Sequence, residues 1–240
     1  MSLIVIPAID LKDGKCVRLT QGRADASTTY SEDPVGMALH WVNAGARYLH
    51  VVDLDGAFRG KPVHGEIVAR IVKAVKVPVE VGGGLRTDDD VDGILDCGVA
   101  RVIIGTRAWA EPGELERLVR KYGERLVVGI DAKGGRVQVK GWTETTTETA
   151  SDLARRADAI GVKCIIYTDT SRDGMLEGVN AAAVGVICRA VKCSVIASGG
   201  ISSAADMRFL RDLNCPNLAG AIVGKALYEG RVKLLDLQNA

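Results

Sequence analysis

Eight short apolar runs, rich in β-branched residues, punctuate the chain. They fall at residues 3–9 (LIVIPAI), 48–53 (YLHVVD), 77–81 (VPVEV), 101–105 (RVIIG), 125–130 (RLVVGI), 163–168 (KCIIYT), 193–198 (CSVIAS) and 218–224 (LAGAIVG). Nearly continuous apolarity is the pattern of strands covered on both faces. Helical patterns lie between most of them. Leu115, Leu118, Val119 and Tyr122 recur at the spacing of one helix face. Thr87 and Ser203 each precede an aspartate by three positions, Asp90 and Asp206, which marks a helix start. Eight strand–helix beats in 240 residues predict an α/β fold, a (β/α)8 barrel forming one domain over 1–240. A doubly wound open sheet is the rival, but it ordinarily has fewer strands.

The two halves, about 1–121 and 122–240, match along their length. IDLKDGKCV (9–17) aligns with IDAKGGRVQ (130–138), and GARYLHVVDLD (45–55) with GVKCIIYTDTS (161–171). VGGGLRTDDDV (81–91) aligns with ASGGISSAADM (197–207). Half a barrel cannot close its own sheet, so two repeated half-barrels make a physically sensible whole. The first and fifth strands then stand opposite each other. Asp10 and Asp131, read as the last residues of those strands, face one another across the C-terminal mouth, where barrels carry their chemistry. A single strand-end aspartate is most often a loop anchor. A matched, opposed pair points instead to a general acid and a general base acting on two sides of one substrate.

Glycines follow the intervening strands in the same symmetry. Gly83 and Gly84 follow the third strand, Gly105 and Thr106 the fourth, Gly199 and Gly200 the seventh, Gly224 and Lys225 the eighth. Glycine admits close backbone approach, and the N–H groups of a helix start attract anions. Two opposed phosphate seats select an elongated ligand with a phosphate at each end, and the two carboxylates would act on its middle.

Composition narrows the partners. The formal charge is +1, from 31 basic and 30 acidic residues, which argues against a nucleic-acid binder. No apolar run approaches the roughly 20 residues of a membrane span. MSLIVIPAID lacks the basic start of a signal peptide, so a cytoplasmic protein is expected. The six cysteines form no CxxC pair and do not cluster with the three histidines, so they read as small core residues and not as a zinc site.

AIDLKDGKCVRLTQG, LHVVDLDGA, VGGGLR, GIDAKGGRVQVKGW, YTDTSRDG, ASGGI and AIVGKALYEG together resemble the ProFAR isomerase family of histidine biosynthesis, over essentially the whole chain and in order. The resemblance implies a duplicated half-barrel that performs an Amadori rearrangement, aminoaldose to aminoketose, on a bisphosphorylated imidazole carboxamide ribotide, without metal or organic cofactor and as a monomer. It implies Asp10 as the base, Asp131 as the acid and Thr168 assisting at the reacting centre. It assigns Arg18, Gly22 and Arg86 to substrate binding, Trp142 to stacking on the imidazole, and Asp173-Gly174 to the loop that meets the substrate. Trp41 and Trp109 are left to the core. The chain departs from the family pattern at RADAST (23–28), where an aromatic residue is frequent nearby, and at Val179, where proline is common. A bifunctional relative that also isomerises phosphoribosylanthranilate is the alternative, although it tends to carry RGW and SGGIR where this chain has KGW and GGGLR. The cyclase subunit of imidazole glycerol phosphate synthase shares the repeat but opens differently. A ligand sensor on the same fold would bind without turnover.

Overall fold

A computed structural model describes residues 3–20, 23–110 and 112–240. Its centre is a closed barrel of parallel strands: β1 (Ile4–Lys12), β2 (Leu49–Asp53), β3 (Val79–Gly82), β4 (Arg101–Ile104), β5 (Leu126–Lys133), β6 (Cys164–Asp169), β7 (Ser194–Ser198) and β8 (Leu218–Val223). Each strand pairs with the next, and β8 pairs with β1 from Ile4↔Gly220 to Pro7↔Val223, which closes the ring. Helices between the strands form the outer layer. The capping boxes at Thr87/Asp90 and Ser203/Asp206 both form, and the amphipathic segment folds as the helix Pro112–Tyr122.

The continuous apolarity of the strands has the expected cause. Ile9, Val51, Val81, Val102, Val128, Ile130, Ile165 and Val195 point outward and pack beneath the helices. Ile6, Ala8, Val127, Cys164, Ile166, Ile196 and Ile222 point inward and fill the barrel. Ile9 and Ile130 are fully buried, and each contributes about 1.5–3 kcal/mol relative to exposure. Side chains alternate along a strand, so anchoring these two isoleucines outward obliges Asp10 and Asp131 to point inward.

The strands do not end at those aspartates, as the sequence suggested. β1 and β5 run on to Lys12 and Lys133, then turn back as hairpins. Asp10 lies opposite Val17 in one and Asp131 opposite Gln138 in the other. The turns are Asp13-Gly14 (φ 51° and 75°) and Gly134-Gly135 (φ 55° and 77°). Positive φ at both central residues is the two-residue turn whose twist matches a hairpin. The repeated Ile-Asp-x-Lys-x-Gly pattern is thus a barrel strand extended into a hairpin, twice.

The glycine loops have a structural duty of their own. Gly83 has φ 109°, and a Cβ there would lie 2.2 Å from the Asp53 carbonyl oxygen. Half-way round, Gly199 has φ 92°, and its Cβ would lie 2.5 Å from the Asp169 carbonyl oxygen. In each case the loop after one strand rests directly on the backbone at the end of its neighbour. Gly83→Ala and Gly199→Ala are therefore expected to lose about 2–4 kcal/mol each, from backbone strain and overpacking, in urea denaturation. A loss under about 0.5 kcal/mol in both would refute the close approach.

Candidate active site

The C-terminal mouth holds a cleft of about 220 Å³. Asp10, Arg18, Gly83, Gly84, Arg86, Gly105, Thr106, Asp131, Trp142, Thr168 and Asp173 all line it. A second, smaller cavity of about 30 Å³ is lined by Gly174, Gly199, Gly200, Gly224 and Lys225. The two share Arg18, Asp173, Ser198 and Ile222, so they form one track across the mouth. The glycines after β3 and β4 lie at one end and those after β7 and β8 at the other. Gly22 lies outside the described residues.

The two opposed aspartates have different company. Arg18, carried by the hairpin strand Lys15–Thr20, places Nη1 2.9 Å from Asp10 Oδ2. Burial pushes the Asp10 carboxyl above its ordinary value, against the opposing pull of Arg18 and His50. Asp131 is also pushed up by burial, but hydrogen bonds from Trp142 and Thr168 oppose the rise, together with the charge of His50. Thr168 stands beside Asp131 in the register of β6 on β5. Asp173, in the loop after β6, is pushed up to about 6, first by burial; Arg18 lowers it while Asp10 and Asp131 raise it. Three partly buried carboxyls thus crowd the mouth.

Arg18 is only 8% exposed, and its Nε has no hydrogen-bond partner among the described residues. Its guanidinium lies over Gly224, where a Cβ would come 1.8 Å from Nη2. A buried cation with an unused donor, set against a glycine before the short helix Lys225–Tyr228, is chemically able to hold an anion. Lys225 Nζ donates to the Gly174 carbonyl at 3.0 Å and so ties the loop after β6 to this seat. At the other end, Thr106 Oγ1 accepts from the Lys140 backbone N–H at 3.0 Å, tying the loop after β5 to the opposite seat.

Trp142 sits otherwise than stacking alone would require. Lys140, Gly141 and Trp142 all have positive φ (56°, 66° and 69°), and the Trp142 side chain comes near enough to Asp131 to lower its carboxyl. Consecutive left-handed residues at a mouth are strain held by surrounding contacts. Trp41 is buried and Trp109 packs partly buried against the core. Val179 explains its own departure from proline: its N–H donates to Asp206 Oδ1 at 3.1 Å, a bond proline cannot make.

Sequence reasoning missed His50, Phe58 and Gln138, which also line the cleft. The available signal was parity. His50 stands two residues before Val52 on β2, both on the inward face, and a polar residue at an inward position of an apolar strand must meet the barrel interior.

A family model described as "Histidine biosynthesis protein" matches residues 4–233. A protein of Hahella chejuensis named 1-(5-phosphoribosyl)-5-(5-phosphoribosylaminomethylideneamino)imidazole-4-carboxamide isomerase is 51% identical over 238 residues, 99% of this chain and 98% of its own. Proteins of the same name from Desulforamulus reducens and Persephonella marina are 49% and 48% identical, covering 97% and 98% of this chain and 94% and 98% of theirs. None of the three names mentions phosphoribosylanthranilate.

The mouth predicts a pH signature. Asp173 binds its proton more tightly folded than unfolded, so its contribution to stability is complete below the ordinary carboxyl value of 3.8 and is lost as pH rises through about 6. Asp173→Asn lacks that loss. Its stability relative to wild type, from urea denaturation at a series of pH values, is expected to increase across this window. A difference that stays flat or shrinks with rising pH would show that Asp173 is not a raised carboxyl.

Proposed function

The chain belongs to the histidine biosynthesis protein family, and we propose that it isomerises the bisphosphorylated imidazole carboxamide ribotide ProFAR, aminoaldose to aminoketose, with Asp10 and Asp131 as base and acid. The observation that carries this reading is the track itself: two opposed carboxylates midway between two glycine-lined anion seats. That arrangement suits a ligand with a phosphate at each end and a reacting sugar between them. The names of the relatives agree with it.

The steps need little beyond proton transfer. Asp131 delivers a proton to the ribose ring oxygen, the C1–O bond breaks, and the nitrogen lone pair forms the iminium at C1. The iminium acidifies the proton on C2, which Asp10 removes. The enolamine then becomes the ketose as its C2 hydroxyl loses a proton and C1 gains one. The different neighbours of the two aspartates support these roles. Arg18 beside Asp10 favours the ionised form a base must have. Asp131 has no ion pair of that kind among the described residues; Trp142, Thr168 and the more distant His50 pull it down while burial raises it toward the protonated form an acid must have. Thr168 orients that carboxyl, Arg18 and Lys225 serve one phosphate, and Arg86 and Thr106 the other.

The near-neutral charge supports an enzyme that meets a small substrate and not nucleic acid. Among the described residues no helix is long and apolar enough to cross a membrane. On this reading the enzyme is a cytoplasmic monomer.

An isomerisation assay with ProFAR tests the proposal. Wild type is expected to turn over, and Asp10→Asn and Asp131→Asn to fall by at least about 10²–10⁴-fold. Thermal unfolding at neutral pH should separate them: Asp131→Asn holds or gains stability because a desolvated carboxyl is gone, while Asp10→Asn loses it because buried Arg18 loses the carboxylate it pairs with at 2.9 Å. Tight binding of ProFAR by wild type with no turnover would overturn the enzyme and leave a sensor.

A further inference from the structure

Beneath the mouth, the barrel interior carries charge that no motif marked. Glu80, on β3, is 0% exposed. Its Oε1 lies 2.7 Å from His50 Nδ1, and its Oε2 accepts from Arg101 Nε at 2.7 Å, with Nη2 at 2.6 Å. The three residues form one rung of the sheet: His50 pairs with Glu80 across β2 and β3, and Glu80 with Arg101 across β3 and β4. The Arg101 guanidinium rests 4.8 Å from the centre of the Tyr48 ring.

Stability does not account for this rung. A buried ion pair is commonly matched or bettered by apolar side chains of similar volume. The rung does supply a fixed acceptor facing one nitrogen of His50. A carboxylate engaged by arginine can only accept, so His50 Nδ1 must carry the proton. That leaves Nε2 as the ring atom free for the cleft, which His50 lines together with Asp10 and Asp131. We propose that Glu80, clamped by Arg101, is a positioning residue that fixes the His50 ring and tautomer so that Nε2 meets the reacting sugar between the two aspartates. In its neutral form His50 then accepts a hydrogen bond from a sugar hydroxyl at that point. This inference rests on the isomerase reading of the mouth.

Two measurements test it. The first is nitrogen NMR of the imidazoles in the ligand-free protein, with His50 assigned by His50→Asn. Wild type should show a protonated Nδ1, and so should Glu80→Gln, whose amide oxygen can still accept. The double variant Glu80→Leu/Arg101→Leu keeps the interior neutral and should show a mixture of tautomers. The second is steady-state kinetics with ProFAR. The double variant should lose about tenfold or more in kcat with KM within about twofold, whereas Glu80→Gln should recover most of the rate. An unprotonated Nδ1 in wild type, or wild-type kcat in a folded double variant, would overturn the proposal. The wild-type spectrum decides whether or not the double variant folds. Absence of ProFAR turnover in wild type would remove the isomerase reading, while the spectrum would still judge the hold of Glu80 on His50.

Discussion

Arg18 is the contact on which the mouth depends. Asp10, Asp131 and Asp173 line one cleft, and burial raises all three carboxyls. Like charges so placed cannot all ionise without a nearby cation. Arg18 supplies one, 2.9 Å from Asp10 and close enough to lower Asp173. It reaches that position because the chain reverses at Asp13-Gly14 and lays the Lys15–Thr20 strand back along β1. A local backbone preference, positive φ at two residues, therefore sets the electrostatics of the site. Gly224 completes the arrangement by leaving room for the guanidinium.

The corresponding hairpin on β5 brings no arginine to Asp131. It leads into the left-handed Lys140–Trp142 segment, whose indole lies near the Asp131 carboxyl and lowers it. The fold thus places two equivalent aspartates on opposite strands and then makes them inequivalent through their neighbours, one a cation and the other neutral donors. The proposed acid and base roles need that inequivalence, because identical surroundings would give both carboxyls the same protonation state.

Much of this was legible in the chain. The eight apolar runs became eight strands with ends shifted by a few residues, and the glycine loops fell at the strand ends. The opposition of Asp10 and Asp131 across the mouth followed from the repeat, while their inward aim rests on the outward packing of Ile9 and Ile130. The hairpins were less visible, because an aspartate interrupts an apolar run and looks like its end. Asp-Gly and Gly-Gly were turn signals that could have extended both strands. Glu80 was hidden by its neighbours: VPVEV reads as continuous apolarity, and only the pairing of β2, β3 and β4 sets His50, Glu80 and Arg101 in one rung. The approach of Trp142 to Asp131 comes with three unusual φ values that composition does not announce.

Strand-end aspartates show why residue type and position together still leave function open. Asp53 and Asp169 close β2 and β6 much as Asp10 and Asp131 stand on β1 and β5. Asp53 accepts backbone N–H bonds from Gly56, Val63 and His64 at 2.8, 2.6 and 2.9 Å. Asp169 accepts from the Ser171 backbone at 3.1 Å and from Asn180 Nδ2 at 2.7 Å. These two are loop anchors, saturated by the chain they hold, and the glycines Gly83 and Gly199 press against their backbones. Among the described residues Asp10 and Asp131 receive no backbone N–H bonds of this kind, and burial is the largest influence on both. On this barrel the loop that follows a strand sets how its carboxylate is held, and Asp53 and Asp169 take their partners from the loops directly after them.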